Sequence, residues 1–382
     1  MTQTPDVIII GAGPAGLSAA KILADSGIKT IVLERGIKSG SKNFFSGIIN
    51  KKTVEEVFGK ISDDMSEMFY APIERKLTEY RAYLLNKDSF IALNEGQTLN
   101  NRFVVLHQSF NDWMCKQAQN AGATIVFETI AEELIVDNSK ICGVKTSKGD
   151  FFSDVVIIAE GTNSIITKKS GLRKGEIPQE QVFLFVEEAL NLQPELIQER
   201  FNLNKNNGTS IRLFTEELIS IPSTGYIHTN KHSITLGIGI LFSETIPKGI
   251  NVNNCLELVK KHPAILPLIK KSTSIHYSSF ILPCHVEEKQ FFSTVKPCEN
   301  GCLIIGGASL AIDPFSWDIS SNAILSGKLA SEAIIRAKDL NDYTKKTLAE
   351  YENLIKKNLT ISPYRHMGTE TINNLERFLL QG

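Results

Sequence analysis

The segment Asp6-Val7-Ile8-Ile9-Ile10-Gly11-Ala12-Gly13-Pro14-Ala15-Gly16 constrains this chain more than any other. Four consecutive β-branched residues, Val7–Ile10, read as a buried parallel strand, and the chain after Gly16 reads as a helix. Between them Gly11 permits a tight turn, Gly13 lets the backbone approach a pyrophosphate, and Gly16 allows close helix–strand contact. Pro14 and Ala15 open the helix, whose unpaired first-turn amides and positive dipole end suit a diphosphate. A second apolar strand, Thr30–Leu33, ends on Glu34, at about the 20-residue spacing of a carboxylate that accepts from a ribose diol. A carboxylate there disfavours a 2′-phosphate, so NADP suits this site poorly. A GxGxxG alone is weak; strand, glycines, helix, strand and acid together predict a dinucleotide-binding βαβ unit, against the plainer reading of a glycine turn without a ligand.

The chain is 382 residues long, more than one core usually serves. Val155–Ala159 and Leu303–Ile305 match the first strands in character and are expected beside them. Lys38 to Asn101 is polar and aromatic and interrupts the order, and Phe110–Asn120 has the pattern of an amphipathic helix. Ala123–Thr129, Leu134–Val136 and Val144–Thr146, divided by Asp137-Asn138 and Lys148-Gly149, predict a small meander. From Gln181 to Leu282 the pattern changes to antiparallel strands: Val182–Val186, Ser210–Phe214, Gly225–His228 and Ser233–Leu241, with a hairpin turn at Thr229-Asn230-Lys231. Short helices are expected around Cys255–Lys261 and Ala264–Lys270, and terminal ones over Ser320–Ala337 and Tyr343–Asn358. The fold class is therefore α/β, a Rossmann-type domain over 1–180 and 283–340 with an inserted antiparallel-sheet substrate domain over 181–282, and C-terminal helices over 341–382.

Composition excludes some classes. Lys+Arg 41 against Asp+Glu 42 leaves a net charge of −1, with no basic excess for nucleic acid or an anionic membrane. No apolar run approaches the ~18 residues of a spanning helix, and no signal peptide is expected. Six cysteines are scattered without a CxxC, so no metal is expected and reduced, cytoplasmic thiols are. There is no Ser/His/Asp order, HExxH or P-loop.

Three segments together resemble the FAD motifs of the p-hydroxybenzoate-hydroxylase-like flavoproteins: Glu34-Arg35, Val155 to Ser164 with Glu160-Gly161, and Ile304-Ile305-Gly306-Gly307-Ala308. Within that superfamily the chain is most similar to the FixC, electron-transfer-flavoprotein:quinone oxidoreductase and geranylgeranyl reductase group. That likeness rests on Ser41-Lys42-Asn43-Phe44-Phe45-Ser46-Gly47, Glu199–Leu203, Gly225-Tyr226-Ile227-His228-Thr229-Asn230 and His262–Ile269. The resemblance implies a glutathione-reductase-like fold with bound FAD, its ring at the interface between domains. It adds Arg35, Lys42, Asn43, Ser46, Gly47, His107, Gly161, Gly307, Pro314, Ile319 and Ser320 to Gly11, Gly13, Pro14, Ala15, Gly16 and Glu34 as cofactor-binding residues.

The chain departs from that pattern in four places. Gly307 stands where relatives carry an Asp, and Trp317-Asp318-Ile319 stand where glycines are common. His107 replaces an Arg, and Glu160 an Asp. No catalytic residue is assigned; Trp317, Asp318 and Asn43 are candidates, with core packing for Trp317 and helix capping for Asp318 as the plainer readings. The function expected is an FAD-dependent oxidoreductase of dehydrogenase or oxidase type, exchanging a hydride between the flavin and a small or carrier-protein-bound substrate. NAD(P)H or a partner redox protein would be the other electron partner. A biosynthetic flavin monooxygenase and a degenerate flavin-fold binding protein are the alternatives.

Overall fold

The computed structural model describes residues 4–41, 46–61, 71–95, 101–283, 294–309 and 318–358. Strand β1 (Val7–Ile10) lies inside a six-stranded sheet ordered β17 (Cys298–Glu299), β18 (Cys302–Ile304), β11 (Val155–Ile158), β1, β2 (Thr30–Leu33), β7 (Thr124–Val126). All neighbours are parallel except the edge pair β17–β18. The continuous apolar runs follow from this, because β1 and β11 are buried throughout. Helices α1 (Pro14–Asp25), α2 (Lys51–Phe58) and α3 (His107–Asn120) add Leu17, Val54 and Phe110 to the same core.

The meander forms differently from the sequence expectation. Thr124–Val126 leaves it and runs parallel to β2. The long connection from β2 ends in helix α3, which returns the chain so that the next strand enters the sheet parallel to β2. The three-stranded sheet is built from β8 (Ala131–Asp137), β9 (Lys140–Thr146) and β10 (Gly149–Phe152). After β11 the short helix α4 (Ile165–Lys169) follows.

The largest sheet has nine strands. Its order is β16 (Thr273–Pro283), β12 (Val182–Asn191), β15 (Ser233–Leu241), β14 (Ser223–Thr229), β13 (Asn207–Phe214), β4 (Ile73–Leu85), β6 (Arg102–Leu106), β3 (Ser46–Asn50), with β5 (Phe90–Glu95) paired to β4. It thus draws strands from Lys38–Asn101 as well as from the later antiparallel region. Alternation divides the two faces of its later strands. Ile211, Leu213, Ile227, Leu236, Ile238 and Ile240 form one core with Ile197 and Phe201 of α5 (Pro194–Phe201) and Leu256 and Val259 of α6 (Val252–Lys261). The opposite face carries Phe185, Glu187, Arg212, Tyr226, His228, Gly237 and Gly239.

The far end of this sheet belongs to the first core, since Ile49, Ile73, Phe103 and Val105 share one buried cluster with β1 and β11. The long helix α7 (Ile319–Asp339) lies against α1 so closely that a Cβ on Gly327 would stand 2.3 Å from the Ala15 carbonyl oxygen. Hydroxyls of Ser18 and Ser331 donate across this contact to the carbonyls of Ile324 and Ala19.

Candidate functional site

The glycine loop after β1 has the geometry of a pyrophosphate cradle. Gly11 has φ +105°, and a Cβ there would lie 2.5 Å from the Ala159 carbonyl oxygen. A Cβ on Gly16 would lie 2.0 Å from the Gly11 oxygen, whereas one on Gly13 meets nothing within 4 Å. Two glycines are therefore required by packing and the third faces open space. Gly13 caps α1 and Pro14 starts it, so the first-turn amides of Ala15 and Gly16 have no partner within the helix.

Glu34 is locked beside this loop. Its Oε2 accepts from the Ala12 N–H at 2.9 Å and its Oε1 from the Gly36 N–H at 2.7 Å. Each oxygen keeps a lone pair for a further donor such as a ribose hydroxyl. Arg35, the next residue, is exposed.

The other two glycine motifs arrive at the same carboxyl edge of the parallel sheet, where ligands of open α/β sheets bind. Gly161 has φ +81° and open space around its Cα. A Cβ on Gly307 would stand 3.2 Å from the Thr162 nitrogen, and one on Gly306 would stand 2.8 Å from the Ala15 Cβ. Glu160 does local work: its oxygens accept from the Ile166 and Thr167 amides at 2.9 and 2.8 Å and from the Thr167 hydroxyl at 2.6 Å, capping α4.

A second cluster joins β3, α3 and the head of α7. A Cβ on Gly47 would lie 2.4 Å from His107 Nε2. Both ring nitrogens of His107 stand 3.3 Å from Ser320 Oγ. Burial, with His228 nearby, lowers the His107 pKa to about 3, and burial lowers that of His228 to about 4. Both rings are therefore neutral near pH 7 and act as hydrogen-bonding groups, not cations. Ser46 Oγ lies 3.3 Å from His228 Nδ1 and donates to Asn230 Oδ1 at 3.1 Å. Asp318 caps α7, its Oδ1 accepting from the Ser321 N–H at 3.1 Å, while Oδ2 is 3.7 Å from Arg102 Nη1. The capping reading of that candidate thus has a direct geometric counterpart.

From this cluster the face of the nine-stranded sheet opposite α5 and α6 continues as an aromatic wall. Phe183, Phe185, Tyr226 and Leu282 pack together with Phe280 and with Ile319, the first residue of α7. Phe185 and Phe280 stack at 5.2 Å between ring centroids, and Tyr226 and His228 at 4.7 Å. Glycines make room: a Cβ on Gly239 would meet the Phe185 ring at 2.4 Å.

The FAD binding domain family matches residues 4–204 of this chain. The FixC protein of Azorhizobium caulinodans is 33% identical over 365 residues, covering 93% of this chain and 81% of its own. The chain belongs to the FixC family of FAD-binding proteins. An Escherichia coli protein named as a probable electron transfer flavoprotein-quinone oxidoreductase is 28% identical to this FixC-family chain, covering 94% of this chain and 83% of its own. Among solved structures, a geranylgeranyl bacteriochlorophyll reductase-like protein from Thermoplasma acidophilum aligns with a TM-score of 0.75 at 22% identity, over 94% of this chain and 84% of the other. A flavin-dependent brominase, Bmp2, aligns with a TM-score of 0.73 at 17% identity, over 92% and 83%. These last two establish the shared fold.

FAD is accordingly the cofactor of this FixC-family flavoprotein, which comes from an FAD-dependent oxidoreductase family. The residues present fit it: Gly13 leaves room where a side chain would intrude, and the three glycine motifs converge around that opening. Of the residues expected from sequence, Gly11, Gly13, Pro14, Ala15, Gly16, Glu34, Gly161 and Gly307 lie at one edge of the parallel sheet. Ser46, Gly47, His107, Ile319 and Ser320 lie together at the second cluster. Lys42, Asn43, Pro314 and Trp317 fall outside the described residues. Sequence reasoning missed the inner-face partners Glu187 and Ser278. The signal was present in Val186-Glu187-Glu188-Ala189, where two acids interrupt an apolar strand and alternation must send one of them inward.

Proposed function

We propose that this flavoprotein exchanges a hydride between FAD and an organic substrate, small or carried on another protein, seated against the face of the nine-stranded sheet opposite α5 and α6. The observation that carries this reading is the packing of Ile319 in one cluster with Phe183, Phe185, Tyr226 and Leu282, one residue from the Ser320 hydroxyl beside His107. It joins a water-excluding aromatic wall to the residues expected at the ring end of the cofactor. Gly11, Gly13, Pro14, Ala15, Gly16 and Glu34 would hold the ADP half, with Gly161 and Gly307 closing the sheet edge. Ser46, Gly47, His107, Ile319 and Ser320 would bound the ring end; Arg35, Lys42, Asn43 and Pro314 join them on resemblance alone. When bound, FAD supplies the capacity to accept or donate a hydride. The chain's part is to orient the substrate's reacting carbon and to exclude water. The described thiols are free, in keeping with a cytoplasmic protein.

The name of the Escherichia coli relative supports a second reading, in which electrons pass to or from a partner redox protein. One experiment separates the two. The purified protein, made anaerobic, is titrated with fractionated small metabolites, with NADH and NADPH, and with a reduced electron-transfer flavoprotein, while the flavin absorbance is followed. Complete two-electron bleaching by a small molecule supports hydride exchange. Bleaching by the protein donor alone, one electron at a time, overturns it in favour of the second reading.

A further inference from the structure

Glu187 stands in the middle of β12 on the face opposite α5 and α6 and is 1% exposed. Strand register sets Ser278 of β16 on one side of it and Gly237 of β15 on the other, with Tyr226 of β14 one strand further. The Ser278 hydroxyl donates to Oε1 at 2.8 Å and the Tyr226 hydroxyl donates to Oε2. Gly237 makes the second bond possible, because a Cβ there would stand 2.6 Å from the Tyr226 ring. The groups facing the pair are His276 and Ser278 on β16, His228 on β14 and Arg212 on β13, placed by the same register. Glu188 points to the other face, where it pairs with Lys260.

A structural role accounts poorly for this arrangement. Apolar side chains of the same volume would pack an aromatic wall at lower cost than a buried carboxyl, and a glycine in a central strand weakens it. Both features instead bring an acid and a phenol into contact on the wall assigned to the substrate.

We propose that Tyr226 and Glu187 form the proton-exchange pair of the substrate site, Tyr226 meeting the substrate and Glu187 resupplying it. This rests on the reading that a substrate is reduced or oxidised against this face. In the reducing direction the electron pair enters the substrate with the hydride, which FAD chemistry supplies. The Tyr226 O–H bond breaks as a bond from that hydrogen to the electron-rich substrate atom forms. The Glu187 carboxyl proton moves to the Tyr226 oxygen, leaving a carboxylate held by the Ser278 hydroxyl, and a solvent proton restores the acid. Oxidation runs the same transfers backwards. Burial raises the Glu187 pKa to about 7, although the bonds from Tyr226 and Ser278 lower it; acid and carboxylate are then both populated at neutral pH, as such exchange requires.

The test uses the full chain with its FAD, and the variants Glu187→Gln and Tyr226→Phe, matched first for flavin content and melting temperature. Difference infrared spectra across a pH titration should show a protonated-carboxyl band that disappears near pH 7, is missing in Glu187→Gln and is displaced in Tyr226→Phe. Reoxidation of the chemically reduced protein by dissolved oxygen, which consumes one proton per flavin, should follow the same inflection. Both variants should flatten that profile and slow the reaction about tenfold or more. A Glu187 titration below about pH 5, in the ordinary carboxylate range, overturns the proposal, as do pH profiles identical in wild type and variants. Should Glu187→Gln not fold, Tyr226→Phe, which removes one hydroxyl, carries both measurements. A protein that proves colourless defeats the underlying reading, whereas the infrared titration still reads Glu187 on its own.

Discussion

Ser46 Oγ lies 3.3 Å from Nδ1 of His228, although their strands β3 and β14 are four steps apart in the sheet order. Four steps in a flat sheet would separate them by about 19 Å at the usual strand spacing. The nine-stranded sheet must therefore curl until its β3 edge faces β14. That curl brings Ser46, at the start of β3, to His228 beside the aromatic wall, and so sets expected cofactor residues next to the proposed substrate face.

The three glycines of the first loop should separate experimentally. Gly13→Val adds a side chain in open space, so the apo protein should keep its melting temperature within about 2 °C while FAD retention after gel filtration falls at least about tenfold. Gly16→Ala places a Cβ 2.0 Å from a carbonyl oxygen and should lower both stability and flavin content. Equal melting losses in the two variants would contradict the assignment of Gly13 to the ligand.

Removing the Glu34 carboxylate leaves the Ala12 and Gly36 amides without their acceptor. Glu34→Ala should cost about 1–3 kcal/mol in chemical denaturation of the apo protein and weaken FAD further through loss of the proposed ribose contact. Calorimetric titration with FAD and with ADP should show the same fold-loss for both ligands, because the affected contact belongs to their shared half.

Glu160 offers a contrast. Its carboxylate caps α4 through two amides and one hydroxyl, so Glu160→Ala should cost about 1–2 kcal/mol of stability with FAD stoichiometry unchanged. A stoichiometric loss of flavin at preserved stability would move Glu160 into the cofactor site.

Acid should destabilise the fold through the buried histidines. His107 and His228 titrate at about 3 and about 4 in the folded chain against 6.5 ordinarily. Their contribution is present above pH 6.5 and is lost as pH falls through the folded values. Glu187, raised from 4.5 to about 7, acts oppositely: its contribution is present below pH 4.5 and is lost as pH rises toward 7. Between these limits two histidines outweigh one carboxyl, so stability should rise with pH up to about 6.5. His228→Gln should make the acid limb shallower by about 1.4 kcal/mol per pH unit, read from urea unfolding at several pH values. Parallel limbs in wild type and variant would remove His228 from the account.

The sequence by itself determined the parallel core and the nucleotide cradle. Val7–Ile10, the three glycines, Pro14 and Glu34 act on neighbours close in the chain, where periodicity, turn sterics and helix ends decide the outcome. It also carried the alternation that divides Ile227 from Tyr226 and His228. Only the tertiary structure decided which distant residues meet. Thr124–Val126 joined the parallel sheet because α3 returns the chain there, a consequence of packing that local propensity does not encode. Gly237 is an unremarkable strand glycine until register sets Glu187 on one side of it and Tyr226 beyond the other. The meeting of Ser46 with His228, and of Ile319 with the aromatic wall, depends on sheet curl and helix docking, which sum weak contacts over the whole chain.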